Sequence, residues 1–109
     1  MAETFKVLGQ ADLAATTETD LYTVPGATSA IISSIVVCNR GATGTTFRLS
    51  IDVGGSGTAN KDYTHFDHII PANFTYIATI GPTLAAADVL KGYAGNGNLS
   101  MNVFGTEIA

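Results

Sequence analysis

The sequence predicts an all-β, single-domain sandwich of jelly-roll type, with about eight antiparallel strands in two sheets of about four. Three observations predict it. Short apolar or alternating runs recur every ~8 to 14 residues, the spacing of sandwiches and barrels. Gly, Pro and Asn clusters break each run. No segment carries a sustained helical period, and the one candidate, residues 84–90, is long enough only for a capping turn.

The runs follow in order. Residues 4–8 form a plausible first strand, and residues 21–24 lead into the turn pair Pro25-Gly26. Residues 29–38 contain Ile31, Ile32, Ile35, Val36 and Val37. They are apolar on both faces, which marks a central strand with one face buried against a neighbour. Residues 45–53 alternate most cleanly: Phe47, Leu49, Ile51 and Val53 point one way, Thr46, Arg48, Ser50 and Asp52 the other. The six residues between these two runs have hairpin length. Residues 63–70, 74–80, 89–94 and 99–104 complete the set, the last continuing past Gly105. Gly95-Asn96-Gly97-Asn98 reads as a hairpin loop, because Gly and Asn tolerate positive φ.

Composition bounds the function. The chain has 109 residues, one domain's worth, of which 13% are charged and 46% hydrophobic. Gly (12), Ala (15) and Thr (15) are abundant, so the chain is short of charge without being rich in large core residues. A monomer of this mass keeps ~5,700 Å² exposed. With little charge to cover it, such a surface is poorly protected against association. The net charge of −4 argues against nucleic acid, which demands a basic footprint. No apolar run approaches the ~20 residues of a membrane span. No secretory signal is visible, so synthesis in the cytoplasm is expected.

No segment announces chemistry. His65-Phe66-Asp67-His68 suggests a metal, but on a regular strand His65 and His68 are an odd number apart and point to opposite faces. Tyr63, His65 and Asp67 share a face without a third ligand type in reach, so a solvated or interface cluster is expected. The single cysteine, Cys38, forms no internal disulfide and reads as a plain buried thiol. The run Gly54-Gly55-Ser56-Gly57 lacks the Gly-Lys-Ser/Thr ending of a phosphate loop and reads as a flexible hairpin tip. Carboxylates are scattered over turns. Neither an enzyme, a metal nor a cofactor is expected.

Two stretches carry a resemblance. Residues 21–55 (LYTVPGATSAIISSIVVCNRGATGTTFRLSIDVGG) and 70–108 (IPANFTYIATIGPTLAAADVLKGYAGNGNLSMNVFGTEI) cover about two thirds of the chain. Their LYTVP, SIVVCNRG, IPAN and YAG elements resemble small structural proteins of tailed, cyanophage-like bacteriophages. The resemblance implies a virion protein. One form is a capsid cement (decoration) protein, a homotrimer bound to the major capsid protein on the outer surface of the shell. The alternative is a tail, neck or fibre-associated structural or receptor-binding module. The expected capsid or subunit contacts are Phe5 and Leu13 in the N-terminal segment, then Tyr63, His65, Phe66, His68, Phe74 and Tyr76. Residues 1–20 are expected to form an N-terminal arm or an edge strand, with residues 11–19 the part most suited to ordering on docking. A charge-poor contact surface implies binding that salt affects little.

Overall fold

The computed structural model describes residues 2–109 as a two-sheet antiparallel sandwich. Nine strands succeed one another: β1 (Glu3–Asp12), β2 (Thr19–Thr23), β3 (Ser29–Asn39), β4 (Thr45–Asp52), β5 (Tyr63–Ile70), β6 (Thr75–Ala78), β7 (Thr83–Leu84), β8 (Val89–Ala94) and β9 (Leu99–Ile108). Two single 3₁₀ turns, Val53–Gly55 and Asn60–Asp62, occupy the β4–β5 connection. The first sheet has the order β1-β9-β3-β6, with the short β7 also paired to β3. The second has the order β2-β8-β4-β5. The pairing is nested: β1 with β9, β2 with β8, β3 with β6 and β7, β4 with β5. This wrap is jelly-roll-like, with β7 as an added piece.

One core lies between the sheets. Ile32, Ile35, Val37, Leu99, Met101 and Val103 come from the first sheet, and Leu21, Phe47, Leu49, Leu90 and Ala94 from the second. The period of two in β3, β4 and β9 delivers these side chains to one side. The folded chain exposes 5441 Å², close to the expectation from its mass.

Several expectations are corrected. The connections at residues 40–44 and 95–98 are not hairpins: β3 and β4, like β8 and β9, lie in different sheets. Both connections cross the sandwich at one end, where the Arg40 N–H donates to the Asn98 carbonyl at 2.9 Å. Of the turns read from the sequence, residues 53–62 do close a hairpin, between β4 and β5. Residues 84–90 hold no helical turn; Leu84 belongs to β7, and the Asp88 carboxylate closes a tight turn by accepting the Ala85 N–H at 2.8 Å.

Residues 11–19 do not form an arm. Ala11 and Asp12 complete β1 as an edge strand, and Leu13 is 1% exposed in the core. The Leu13 N–H donates to the Leu99 carbonyl and the Thr16 N–H to the Ala94 carbonyl, so the segment is stitched to both sheets. Its weak strand pattern reflects a crossing from one sheet to the other. Nor is Cys38 fully buried. It is half-buried on the outer side of β3, opposite Ser100.

Candidate interaction surface

The most concentrated group of polar and aromatic side chains is organised by a bulge in β5. In the β4–β5 ladder, Phe47 faces His68 and Leu49 faces His65, so Phe66 and Asp67 together oppose Arg48. Asp67 has φ +48°, a conformation aspartate tolerates. The extra residue shifts the side-chain alternation by one. His65 and His68 are therefore on the same side of the strand, which corrects the opposite faces expected of a regular strand. A second register shift, between the Leu49–His65 and Ser50–Tyr63 pairs, puts Tyr63 on the other side, so Tyr63, His65 and Asp67 do not share the face expected of them.

The histidine side borders the core, with His65 half-buried and His68 exposed. The two imidazoles stack on Phe47, with ring centroids 5.9 and 5.1 Å from it and 5.8 Å from each other. Tyr76 of β6 completes the group, 5.3 Å from Phe47, and its hydroxyl is 3.0 Å from Nε2 of His65. β5 and β6 are edges of opposite sheets, so these rings close the seam between them. Burial holds the His65 imidazole below its ordinary value of 6.5, and the neighbouring His68 adds to this. A depressed histidine favours the fold while it is neutral. Its contribution is complete above pH 6.5 and is lost as the pH falls through the folded value. The melting temperature is expected to drop between pH 7.5 and pH 5 in the native chain and to change less in His65→Gln. Equal pH profiles for the two proteins would count against the seam as the source.

Arg48 organises the other side of the bulge. Its Nε donates to Asp67 Oδ1 at 2.7 Å, and its guanidinium carbon lies 4.1 Å from the Phe66 ring centre and 4.4 Å from that of Tyr93. The hydrogen bond to Asp67 raises the already high Arg48 value further, against the opposing effect of burial. Tyr63 meets Phe66 edge-on at 4.9 Å. Phe66 is 57% exposed, and with Asn60 and Tyr63 it lines a shallow groove on the outer face of the second sheet. Ile69, opposite Thr46, extends this face. At the hairpin end Lys91 bridges Asp52 (3.0 Å) and Glu18 (3.5 Å). Burial opposes ionisation of Asp52, but the Lys91 ammonium and the N–H groups of Gly57 and Ser56 keep its carboxyl below the usual range. The Lys91 and Gly57 contacts both fall on Asp52 Oδ2, which ties the hairpin loop to Lys91, while the buried Oδ1 has no hydrogen-bond partner.

The predicted contact residues thus separate into five places. Phe5 is on the outer face of the first sheet, Tyr63 and Phe66 on that of the second, and His65, His68 and Tyr76 are in the seam. Phe74 is exposed in the β5–β6 turn, and Leu13 is core. Sequence reasoning missed Val7, Ile31 and Ile77 outside the first sheet and Arg48 and Tyr93 outside the second. The apolar outer positions of β3 were a readable signal for the first group. The second depended on the bulge. Among the described residues, no three His, Cys, Asp or Glu side chains are grouped to hold a metal ion.

No protein-family model matches the chain, and no curated protein matches it. Two crystal structures of a pentameric capsid protein isolated from metagenomic phage sequences are similar to it, one of them solved by iodide SAD phasing. Each has a TM-score of 0.38 and 16% identity, over 95% of this chain and 62% or 63% of the other. The chain therefore spans less than two thirds of the length of these solved neighbours.

Proposed function

We propose that the chain is a phage virion structural protein that acts without enzymatic chemistry. In the reading we favour it is a capsid cement protein, a homotrimer on the outer surface of the shell that links adjacent major capsid subunits. The observation that carries this is the distribution of exposed apolar groups. A chain with 13% charged residues presents Phe5, Val7, Ile31 and Ile77 on one outer sheet face and Phe66 and Ile69 on the other. Two separate faces suit a protein that holds copies of itself and a second partner. Many identical sites on a shell make modest individual contacts sufficient. The resemblance of residues 21–55 and 70–108 to small phage structural proteins supports the same reading.

The test is to add the purified chain to shells that lack it. The expected result is co-sedimentation with the shells, little changed by salt, and a higher temperature of DNA release. Failure to bind any shell of the parent phage overturns the reading. A tail-associated or receptor-binding module is the second reading. It is favoured by the groove at Asn60, Tyr63 and Phe66, because aromatic rings beside an amide suit a sugar ligand. Copy number separates the two: cement is present on the scale of the coat subunit, a tail module on the scale of the tail.

A further inference from the structure

We infer that the outer face of the β1-β9-β3-β6 sheet is the surface by which this chain binds a second copy of itself. The register assembles the face in rows. Phe5, Thr106 and Ile31 are cross-strand neighbours; so are Val7, Phe104 and Ser34; and Gln10, Asn102, Val36 and Ile77 form a third row. Six apolar side chains from four strands thereby lie side by side, and Phe5 and Ile77 are 76% and 58% exposed.

Charge selects the occupant. Between Glu3 at one corner and Asp12 at the other, these rows carry no ionisable group, and Asp12 is paired with Arg40 at 2.6 Å. Lys6 and Glu107 point away from the face and bind one another at 2.9 Å, with the Tyr22 hydroxyl donating to Glu107 at 2.6 Å. Two copies of an acidic chain, each at −4, approach best through a neutral surface. A neutral apolar face is also complementary to another of the same kind, and it offers nothing to select a charged partner. The area suffices as well. Three strands about ten residues long and the four-residue β6, ~4.8 Å apart, present ~500 Å² before side-chain relief, and that relief brings the area toward the ~800 Å² per partner of a stable complex. The face runs to the free edge of β1, a ten-residue strand with no proline, so a neighbouring copy meets both apolar side chains and unpaired backbone groups.

This inference deepens the proposed assembly by naming its self-contact, and it can fail separately from shell binding. Sedimentation equilibrium of the native chain is expected to give a mass that is a multiple of 11.2 kDa. The double variant Phe5→Lys/Ile77→Lys, with unchanged circular dichroism, is expected to weaken association by at least about tenfold per substitution. Phe66→Lys, on the opposite face, is expected to leave the mass unchanged. A native chain that stays monomeric at high concentration overturns the inference. So does a double variant that still associates, or dissociation by Phe66→Lys instead. Shell binding, read by co-sedimentation of the same proteins, is a separate outcome. A chain that self-associates but ignores shells keeps this surface and removes the cement role.

Discussion

Phe47→Ala is expected to destabilise the fold by ~3–5 kcal/mol, the range for removing a buried aromatic ring from a core. Phe47 is completely buried, and its ring is the surface on which His65, His68 and Tyr76 rest. Truncation leaves a cavity under the seam between β5 and β6. The surrounding side chains are poorly placed to fill it. His65 is held by the Tyr76 hydroxyl, and Leu49 is already committed to the core beside it. Against a total stability of ~5–15 kcal/mol for a domain, this is a large fraction. Urea denaturation should show the midpoint falling at a nearly unchanged m-value. A loss below ~1 kcal/mol would mean that the seam collapses freely, contrary to the packing described.

Gly9→Ala is expected to cost ~3 kcal/mol or more, at the upper end of overpacking effects. Gly9 lies at the bulge of β1, opposite Val103, with its missing side chain directed at the second sheet. A Cβ there would fall 2.1 Å from the Leu21 carbonyl oxygen and 3.1 Å from its carbon. Both are backbone atoms of β2, so no side-chain rotation relieves the clash and β1 must lift away. Gly97→Ala is the matching control. Its Cβ would meet nothing within 4 Å, and its expected effect is within about 0.5 kcal/mol. Thermal melts of the two variants check the contrast, and similar losses in both would show that the β1–β2 approach is not tight. Because β1 also borders the self-contact face, Gly9→Ala should weaken association in proportion to its effect on the fold. Phe5→Lys/Ile77→Lys should do so with the fold intact.

The strands were largely legible, and the reasons are local. The alternation of residues 45–53 states which side is apolar, the β-branched run of residues 29–38 marks a strand apolar on both sides, and both became strands near the expected bounds. The doubly apolar pattern of β3 was a valid sign of a central strand whose outer side is available to a neighbour. The turns were legible as turns but not as connections. Residues 40–44 and 95–98 have the composition of hairpin loops, yet each joins strands of different sheets. Turn chemistry specifies a local reversal of the chain. Which sheet receives the next strand depends on partners far away in sequence.

The candidate surfaces show the same division more sharply. The rings and ions of residues 63–69 were visible as residue types, but their grouping turned on two register shifts in β5, one of them at Asp67. With Asp67 at φ +48°, Phe66 and Asp67 share the space opposite Arg48, and both histidines lie on the Phe47 side of the strand, His65 half-buried and His68 exposed. An aspartate in a strand gives no local notice of this, because it is equally at home on a regular solvent face. Leu13 carried the opposite ambiguity. Surrounded by Ala and Thr, it looked like part of a detachable segment, yet it fills the core where the chain passes between sheets.

The sequence by itself determined the all-β class, the single domain, the central position of β3 and the low charge of the chain. All of these follow from period-two patterning and composition, which act over a few residues. Only the tertiary structure decided that β1 pairs with β9, that the histidines join Phe47 and Tyr76, and that Phe5, Ile31, Phe104 and Ile77 form one face. Those outcomes depend on register between strands up to a hundred residues apart. A shift of one residue exchanges inside for outside, so the burial of the whole core fixes that register.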